Sequence, residues 1–136
     1  MTYATLVAAL ETLAKQAGVA SFWAGARTAN GLNYNAEYPM CEFFNTQPSQ
    51  VLAGVVRYSL GMGFYGKDEH ENGSEQTLAI QSAMDELTQK FIRLLREGEE
   101  WELLGDVVNR VPTIRNGTKI GTGLFIDFTL DVPLVC

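Results

Sequence analysis

The residues best suited to chemistry lie in one acidic stretch around the only histidine of the chain, His70. Asp68, Glu69 and Glu71 are its neighbours, and carboxylates together with an imidazole can bind a divalent metal ion. Adjacent residues of one loop rarely converge on a single ion, however, and the spacing of an EF-hand is absent. We therefore expect no metal site and interpret the stretch as a solvated loop before a helix.

A nucleophile paired with a general base is also not expected. A serine nucleophile needs a base, and His70 is the only imidazole. Ser59 lies in the pattern Tyr-Ser-Leu-Gly, which falls inside a predicted strand and lacks a nucleophile elbow. Cys41 is followed by Glu42 and has no cationic neighbour that would favour its thiolate. We predict no catalytic residue, and we expect the protein not to be an enzyme.

The two cysteines, Cys41 and Cys136, show no metal-binding spacing. We interpret Cys41 as a small buried hydrophobic residue and Cys136 as part of a frayed end. A disulfide between them stays open at this point.

Gly61, Gly63 and Gly66 match the glycine spacing of a dinucleotide-binding loop. That loop requires its glycines between a strand and the N-terminus of a helix, whereas here charged residues follow before any helix. Asp127 and Asp131 share one strand face, but Thr129 lies between them, which is typical of a solvated face. We expect neither a bound cofactor nor a pair of catalytic carboxylates.

The overall charge excludes several classes of partner. The chain has 136 residues, a formal net charge of −6, and only 10 Lys and Arg, which form no basic cluster. Binding to nucleic acid requires clustered cations that displace phosphate counterions, and docking on an anionic membrane requires them too. We see no signal peptide and no apolar stretch of 18 residues. We expect a protein made in a cytoplasm that stays there or leaves inside a particle.

Helical spacing of apolar residues predicts two helices. The first covers residues 2–17, with Thr2 as its cap and Gly18 as its stop. The second ends near Glu97, before Gly98, and carries its apolar face at Ile80, Met84, Leu87, Phe91 and Leu94. The loop before it, residues 67–74, is polar, and we expect it to be mobile in the isolated protein and ordered in an assembly.

Strand patterns fill the rest of the chain. Apolar stretches at residues 19–24 and 38–44 are separated by the turn signal Asn30-Gly31, and Pro39 indicates an edge strand or the beginning of a strand. Residues 52–64 alternate, with apolar side chains at even positions and room at Gly61 and Gly63 on the other face for a close approach or a bend.

The end of the chain predicts a hairpin of residues 103–115 and 123–132, joined at Asn116-Gly117. In the second strand the even positions from Leu124 to Val132 are apolar, and we expect them to face the helix that contains Phe91. The order of elements predicts a single α+β domain over residues 1–136, with an antiparallel or mixed β-sheet packed by two α-helices.

Aromatic residues are the candidates for contact with other subunits, because they bury large areas at little cost in rotamer entropy. We select Tyr38, Trp101, Phe125 and Tyr65. Phe125 is the strongest of them, since it lies on an otherwise polar strand face. Trp23 is a further aromatic residue of interest, and packing in the domain's own core is the alternative for each.

Several of these patterns together resemble a known protein family. They are the short N-terminal helix, the Tyr38-Pro39-Met40 strand beginning, the long strand through Tyr58 and Phe64, the acidic loop, the helix ending Phe91-Ile92-Arg93-Leu94-Leu95, and the final alternating strand. In order and length they are similar to the tail-terminator and tail-completion (head–tail joining) proteins of long-tailed bacteriophages.

The resemblance implies a structural role in the virion. Such proteins form rings, often hexameric, that stop growth of the tail tube and join it to the connector and neck proteins of the head. The expected partners are therefore copies of the chain itself, the tail-tube protein and the connector. The expected location is the tail or neck of a virion, after synthesis in the cytoplasm of a bacterial host.

Two other classes remain. One is a non-viral α+β domain that binds a ligand or another protein without catalysis, for which a preformed apolar pocket would be the distinguishing observation. The other is a small enzyme whose site has no recognisable motif.

Overall fold

Two helices and six strands make up the part of the chain that the structure describes. The computed structural model describes residues 1–24, 37–67, 74–114 and 121–135. In chain order the elements are α1 (Tyr3–Ala17), β1 (Ser21–Ala24), β2 (Met40–Asn45), β3 (Gln50–Leu52), β4 (Val55–Lys67), α2 (Ser74–Glu97), β5 (Glu102–Ile114) and β6 (Gly121–Pro133).

The caps expected for the first helix are confirmed. The Thr2 hydroxyl accepts a hydrogen bond from the Thr5 backbone N–H at 3.2 Å, which satisfies one of the free donors at the start of α1. Gly18 ends the helix with φ of 130°, and its N–H bonds to the carbonyls of Ala14 and Lys15. A left-handed residue at this position favours glycine, so sequence and backbone agree.

The second helix has its predicted end and most of its predicted apolar face. Met84, Leu87 and Phe91 are buried, whereas Ile80 and Leu94 are only partly buried. Leu95, which lies four residues after Phe91, is fully buried in place of Leu94.

The sheet is mixed, and the predicted fold class is confirmed. Its strand order is β1-β2-β4-β6-β5, and β3 pairs with the beginning of β4. The β1–β2 pair is parallel and the other pairs are antiparallel. Both helices pack in one core with the same face of the sheet.

The core lies between that face and the two helices. The even positions of β4 from Tyr58 to Phe64 are buried there, beside five alternate residues of β6: Leu124, Ile126, Phe128, Leu130 and Val132. Phe91 of α2 packs between the strands, with ring centroids 5.2 Å from Phe64 and 6.3 Å from Phe128. The predicted inward face is therefore confirmed for β6 and for β4 from Tyr58 to Phe64.

The prediction of one strand over residues 52–64 is wrong at its start. Ala53 and Gly54 form a turn between β3 and β4, and Gly54 has φ of 79°. Leu52 pairs with Val55 across this turn, so it belongs to the preceding strand and is exposed. At the other end β4 continues past Phe64 to Lys67.

The final pair of strands is antiparallel, as predicted, but β5 is irregular. Its register with β6 shifts between Leu104 and Val108 and again between Val108 and Val111. Gly105, with φ of 62°, lies in the first shift, and such bulges bend an edge strand. The turn signals Asn30-Gly31 and Asn116-Gly117, His70 with most of its acidic loop, and Cys136 lie outside the described residues.

Candidate functional site on the far face of the sheet

The side of the sheet turned away from both helices, here called the far face, carries an aromatic pair. The rings of Phe44 (β2) and Phe125 (β6) stack with centroids 5.3 Å apart and planes 26° apart. They meet above Gly61 of the intervening strand, where a Cβ would lie 2.8 Å from Phe125 Cζ and 3.1 Å from Phe44 Cε2. The room predicted at Gly61 is thus used by two rings of the same chain.

Tyr65 fills the corresponding space at the second glycine. A Cβ on Gly63 would lie 2.7 Å from Tyr65 Cζ, so the phenol ring lies across that glycine. Tyr65 packs with Met40 and the partly buried Tyr38 in a small separate cluster. We selected Tyr65 as a contact residue, but it is only 1% exposed. Its role is therefore to pack on the far face within its own chain.

Tyr38 and Trp23 lie at the border of this face. Tyr38 precedes β2, and its peptide bond to Pro39 is cis. Pro39 directly precedes β2, which lies between β1 and β4 in the sheet. Of the two positions predicted for Pro39, the beginning of a strand is therefore correct and the edge strand is not. Trp23 is 42% exposed on the four-residue strand β1, where its register partner is Glu42.

Trp101 lies away from the other selected residues. It follows α2, and its indole Nε1 donates a hydrogen bond to the Leu95 carbonyl at 2.9 Å. Its ring packs on Gly98, with Cε2 2.6 Å from where a Cβ would stand. The half-buried indole thus satisfies one of the last carbonyls of the helix. Of the four selected residues, Tyr38 and Tyr65 pack in one cluster, Phe125 lies on the same face with Phe44, and Trp101 lies elsewhere.

The polar part of the far face is organised by an ion pair. Arg57 Nε donates to Asp131 Oδ1 at 2.8 Å, and Arg57 Nη2 donates to Oδ2 at 3.0 Å. The hydrogen bond from Arg57 holds the pKa of Asp131 below its ordinary value. Asp131 is buried and Asp127 is half-buried. The expectation of a solvated strand face is therefore wrong here, because Arg57 on the neighbouring strand compensates the buried carboxylate.

The remaining chemical candidates have packing roles. Cys41 is free and fully buried on the helix side of β2, which confirms its interpretation as a small hydrophobic residue. Burial, with a smaller contribution from Glu42, raises the pKa of its thiol, which disfavours the reactive thiolate. Gly66 lies within β4, and its space is taken by Ile80 of α2. Within the described ranges, no three His, Cys, Asp or Glu side chains converge as a metal site requires.

An exposed apolar arm was missed by the sequence analysis. We call residues 47–54, which include β3 and the following turn, the arm. All of its residues are exposed, Val51 at 72% and Leu52 at 37%. The signal was present in the sequence, since residues 43–56 contain no charged side chain. The turn between β3 and β4 was not recognised, because the alternation of apolar residues continues across its two residues.

A shallow groove lies between α2 and β5. Gln89, Ile92, Arg96, Asp106 and Val107 line it. Arg96 Nη2 and Asp106 Oδ1 lie 3.8 Å apart at the groove, and both side chains are largely exposed. Two apolar residues among three polar ones make a mixed surface, unlike the enclosed apolar pocket typical of a small-molecule site.

Comparison with protein-family models and with curated proteins finds no match to this chain. Among the helices that the structure describes, none has the length and hydropathy needed to cross a membrane.

Proposed function

We propose that the chain is a structural subunit of a long-tailed phage particle, where copies of it form a ring at the head–tail junction and end or complete the tail tube. The observation that supports this proposal best is the unequal use of the two sheet faces. Both helices pack on one face, while the other presents the half-buried Phe44–Phe125 pair and the exposed Trp23.

A partly covered aromatic pair is a suitable centre for a subunit contact. Aromatic side chains dominate the energetics of interfaces, and their neighbours exclude water from them. Phe125 is held in place by Phe44 at 5.3 Å, so little rotamer entropy is lost when a partner covers it. The sheet beneath is continuous from β2 through β4 to β6, which makes the surface rigid.

The charge of the chain fits a ring through which DNA passes. With a net charge of −6, the walls of a central hole would be acidic or neutral unless the few cations gathered there. Such walls would not retain the phosphate backbone. The same ring would present its upper and lower surfaces to the connector and to the tail-tube protein.

Locating the protein in its particle tests the proposal. A tagged copy is expressed in bacteria that carry the gene, and the released particles are labelled with gold and viewed by electron microscopy. We expect label at the tail end nearest the head. Label elsewhere on a particle contradicts the proposal. The proposal is also contradicted if particles form without the protein while the untagged protein stays in the cytosol, and this result favours a non-viral interaction domain.

A variant of the far face tests whether this surface is needed for incorporation into particles. Phe125→Glu places a charge on the proposed contact, and Ala83→Glu places the same charge on the exposed surface of α2. Both proteins must first melt cooperatively near the parent temperature. We expect the Phe125 variant to be lost from particles and the Ala83 variant to be incorporated like the parent.

A further inference from the structure

The strand of the arm, β3, has no buried side chain. β3 pairs with β4 along one edge only, and Gln50, Val51 and Leu52 are all exposed. Two apolar residues near the C-terminus continue this surface, Leu134 at 39% and Val135 at 62% exposure. They are joined to the arm by the hydrogen bond from the Leu134 N–H to the Gly54 carbonyl at 3.1 Å. Exposed apolar side chains grouped in this way mark a contact surface.

The strand of the arm, β3, cannot cover the aromatic pair of its own chain. β3 pairs with Val55, Val56 and Arg57, whereas the pair lies above Gly61. Val56 and Gly61 are five residues apart on one extended strand, or about 17 Å at the usual rise of about 3.3 Å per residue. The two apolar surfaces of one chain therefore point to contacts with other molecules.

Charge limits which molecule can occupy the far face. The carboxylates nearest to the aromatic pair in the sheet register are Glu42, beside Gly63, and Asp127, beside Gly61. A second copy is also acidic as a whole, since the chain has 16 Asp and Glu against 10 Lys and Arg. Like charges brought together at an interface disfavour binding. The arm, which lies within the uncharged residues 43–56, is free of this repulsion.

We infer that the arm of one copy docks on the Phe44–Phe125 pair of the next copy. Val51 and Leu52 supply apolar side chains to an aromatic surface, and no charge is buried by them. The contact joins two different patches, so repeated rotation builds a closed ring or an open helix. This inference rests on the proposed subunit role of the far face and names what covers it.

Disulfide trapping between two variants that each carry one introduced, exposed cysteine tests the contact. Both variants carry Cys136→Ser, and the buried Cys41 is retained. Val51→Cys labels the arm, and Thr46→Cys labels an exposed position beside the aromatic pair, since Thr46 Cγ2 lies 3.0 Å from a Cβ built on Gly61. The two proteins are mixed at high concentration under mild oxidation. We expect the mixed Val51→Cys–Thr46→Cys dimer to be the main cross-linked product.

Matched controls separate this contact from random collisions. Val51→Cys mixed with Ala83→Cys, an exposed position on α2, is expected to give little product. Equal yields from both mixtures, or a Val51→Cys protein that cross-links mainly to itself, would overturn the inference. If no mixed product forms but particles carry the gold label at the junction, only the arm contact is rejected. If the mixed product forms but particles carry no label, the arm contact is supported and the phage role is rejected.

Discussion

The rings of Phe44 and Phe125 stack across β4 directly above Gly61, with their centroids 5.3 Å apart. The two residues lie on strands that do not pair with each other, and β4 separates them. The two rings can meet because Gly61, which lies between them, has no Cβ.

Gly61→Ala is expected to destabilise the protein by about 1–3 kcal/mol, as overpacking usually does. Alanine in a strand would otherwise stabilise slightly, because glycine loses more backbone entropy on folding. Here the new methyl group would lie 2.8 Å from Phe125 Cζ and 3.0 Å from Thr46 Cγ2. Denaturant unfolding measures the change, with Ser59→Ala on the same face as the control. An unchanged midpoint would show that the stack is not fixed.

Phe91→Asp is expected to lower the free energy of unfolding by about 4 kcal/mol or more, because it removes a buried ring and buries a charge. Phe91 is fully buried between Phe64 and Phe128. Leu78→Asp is the matched control on the same helix, since Leu78 is 65% exposed. Thermal melting compares the two. If the Phe91 variant melted like the parent, the assignment of the core would be wrong.

The Arg57–Asp131 pair predicts a loss of stability in acid. Arg57 lowers the pKa of Asp131 in the folded state, whereas an unperturbed Asp has a pKa of about 3.9. The stabilisation is therefore complete above the unfolded pKa and is lost as the pH falls through the lower folded pKa.

Asp131→Asn should thus be less stable than the parent at pH 7, and the difference should shrink toward pH 3 and below. Urea midpoints measured over this pH range test it. Asp106→Asn is the control, because that side chain is 92% exposed and lies 3.8 Å from its partner Arg96. A difference between Asp131→Asn and the parent that does not vary with pH would contradict the role of the ion pair.

Cys41 is expected to react with thiol reagents only when the protein unfolds. Its thiol is buried and its pKa is raised, so both access and thiolate formation are suppressed. In a Cys136→Ser background, labelling in buffer should be slower than in denaturant by about a thousand-fold or more, given the usual stability of small domains. Val51→Cys in the same background provides an exposed thiol that should react at once. Fast labelling of Cys41 in buffer would contradict its burial.

Periodicity predicted the helices and the inward face of the long strands because those patterns follow directly from burial. Thr2, Gly18 and Gly98 also marked helix ends through local backbone chemistry. The parallel β1–β2 pair could not be predicted in this way, since pairing depends on contacts distant in sequence. Nor could the turn at Ala53-Gly54, because Leu52 and Val55 fit one alternating pattern whether or not the chain reverses between them.

The candidate site was predicted in part. Phe125 and Tyr38 were found because an aromatic residue on a polar face or beside a proline is conspicuous in the sequence. Tyr65 was selected too, yet Gly63 lets its ring lie flat and become buried. The arm was missed because exposure of Val51 follows from the absence of any element packed on β3, which only the fold of the described residues reveals.

The position of gold-labelled protein in released particles tests the proposed role at the head–tail junction most directly. We expect label at the junction of head and tail, present with the parent and with Ala83→Glu and absent with Phe125→Glu. Particles that assemble complete tails without the protein, or that carry it away from the tail and neck, would contradict that role.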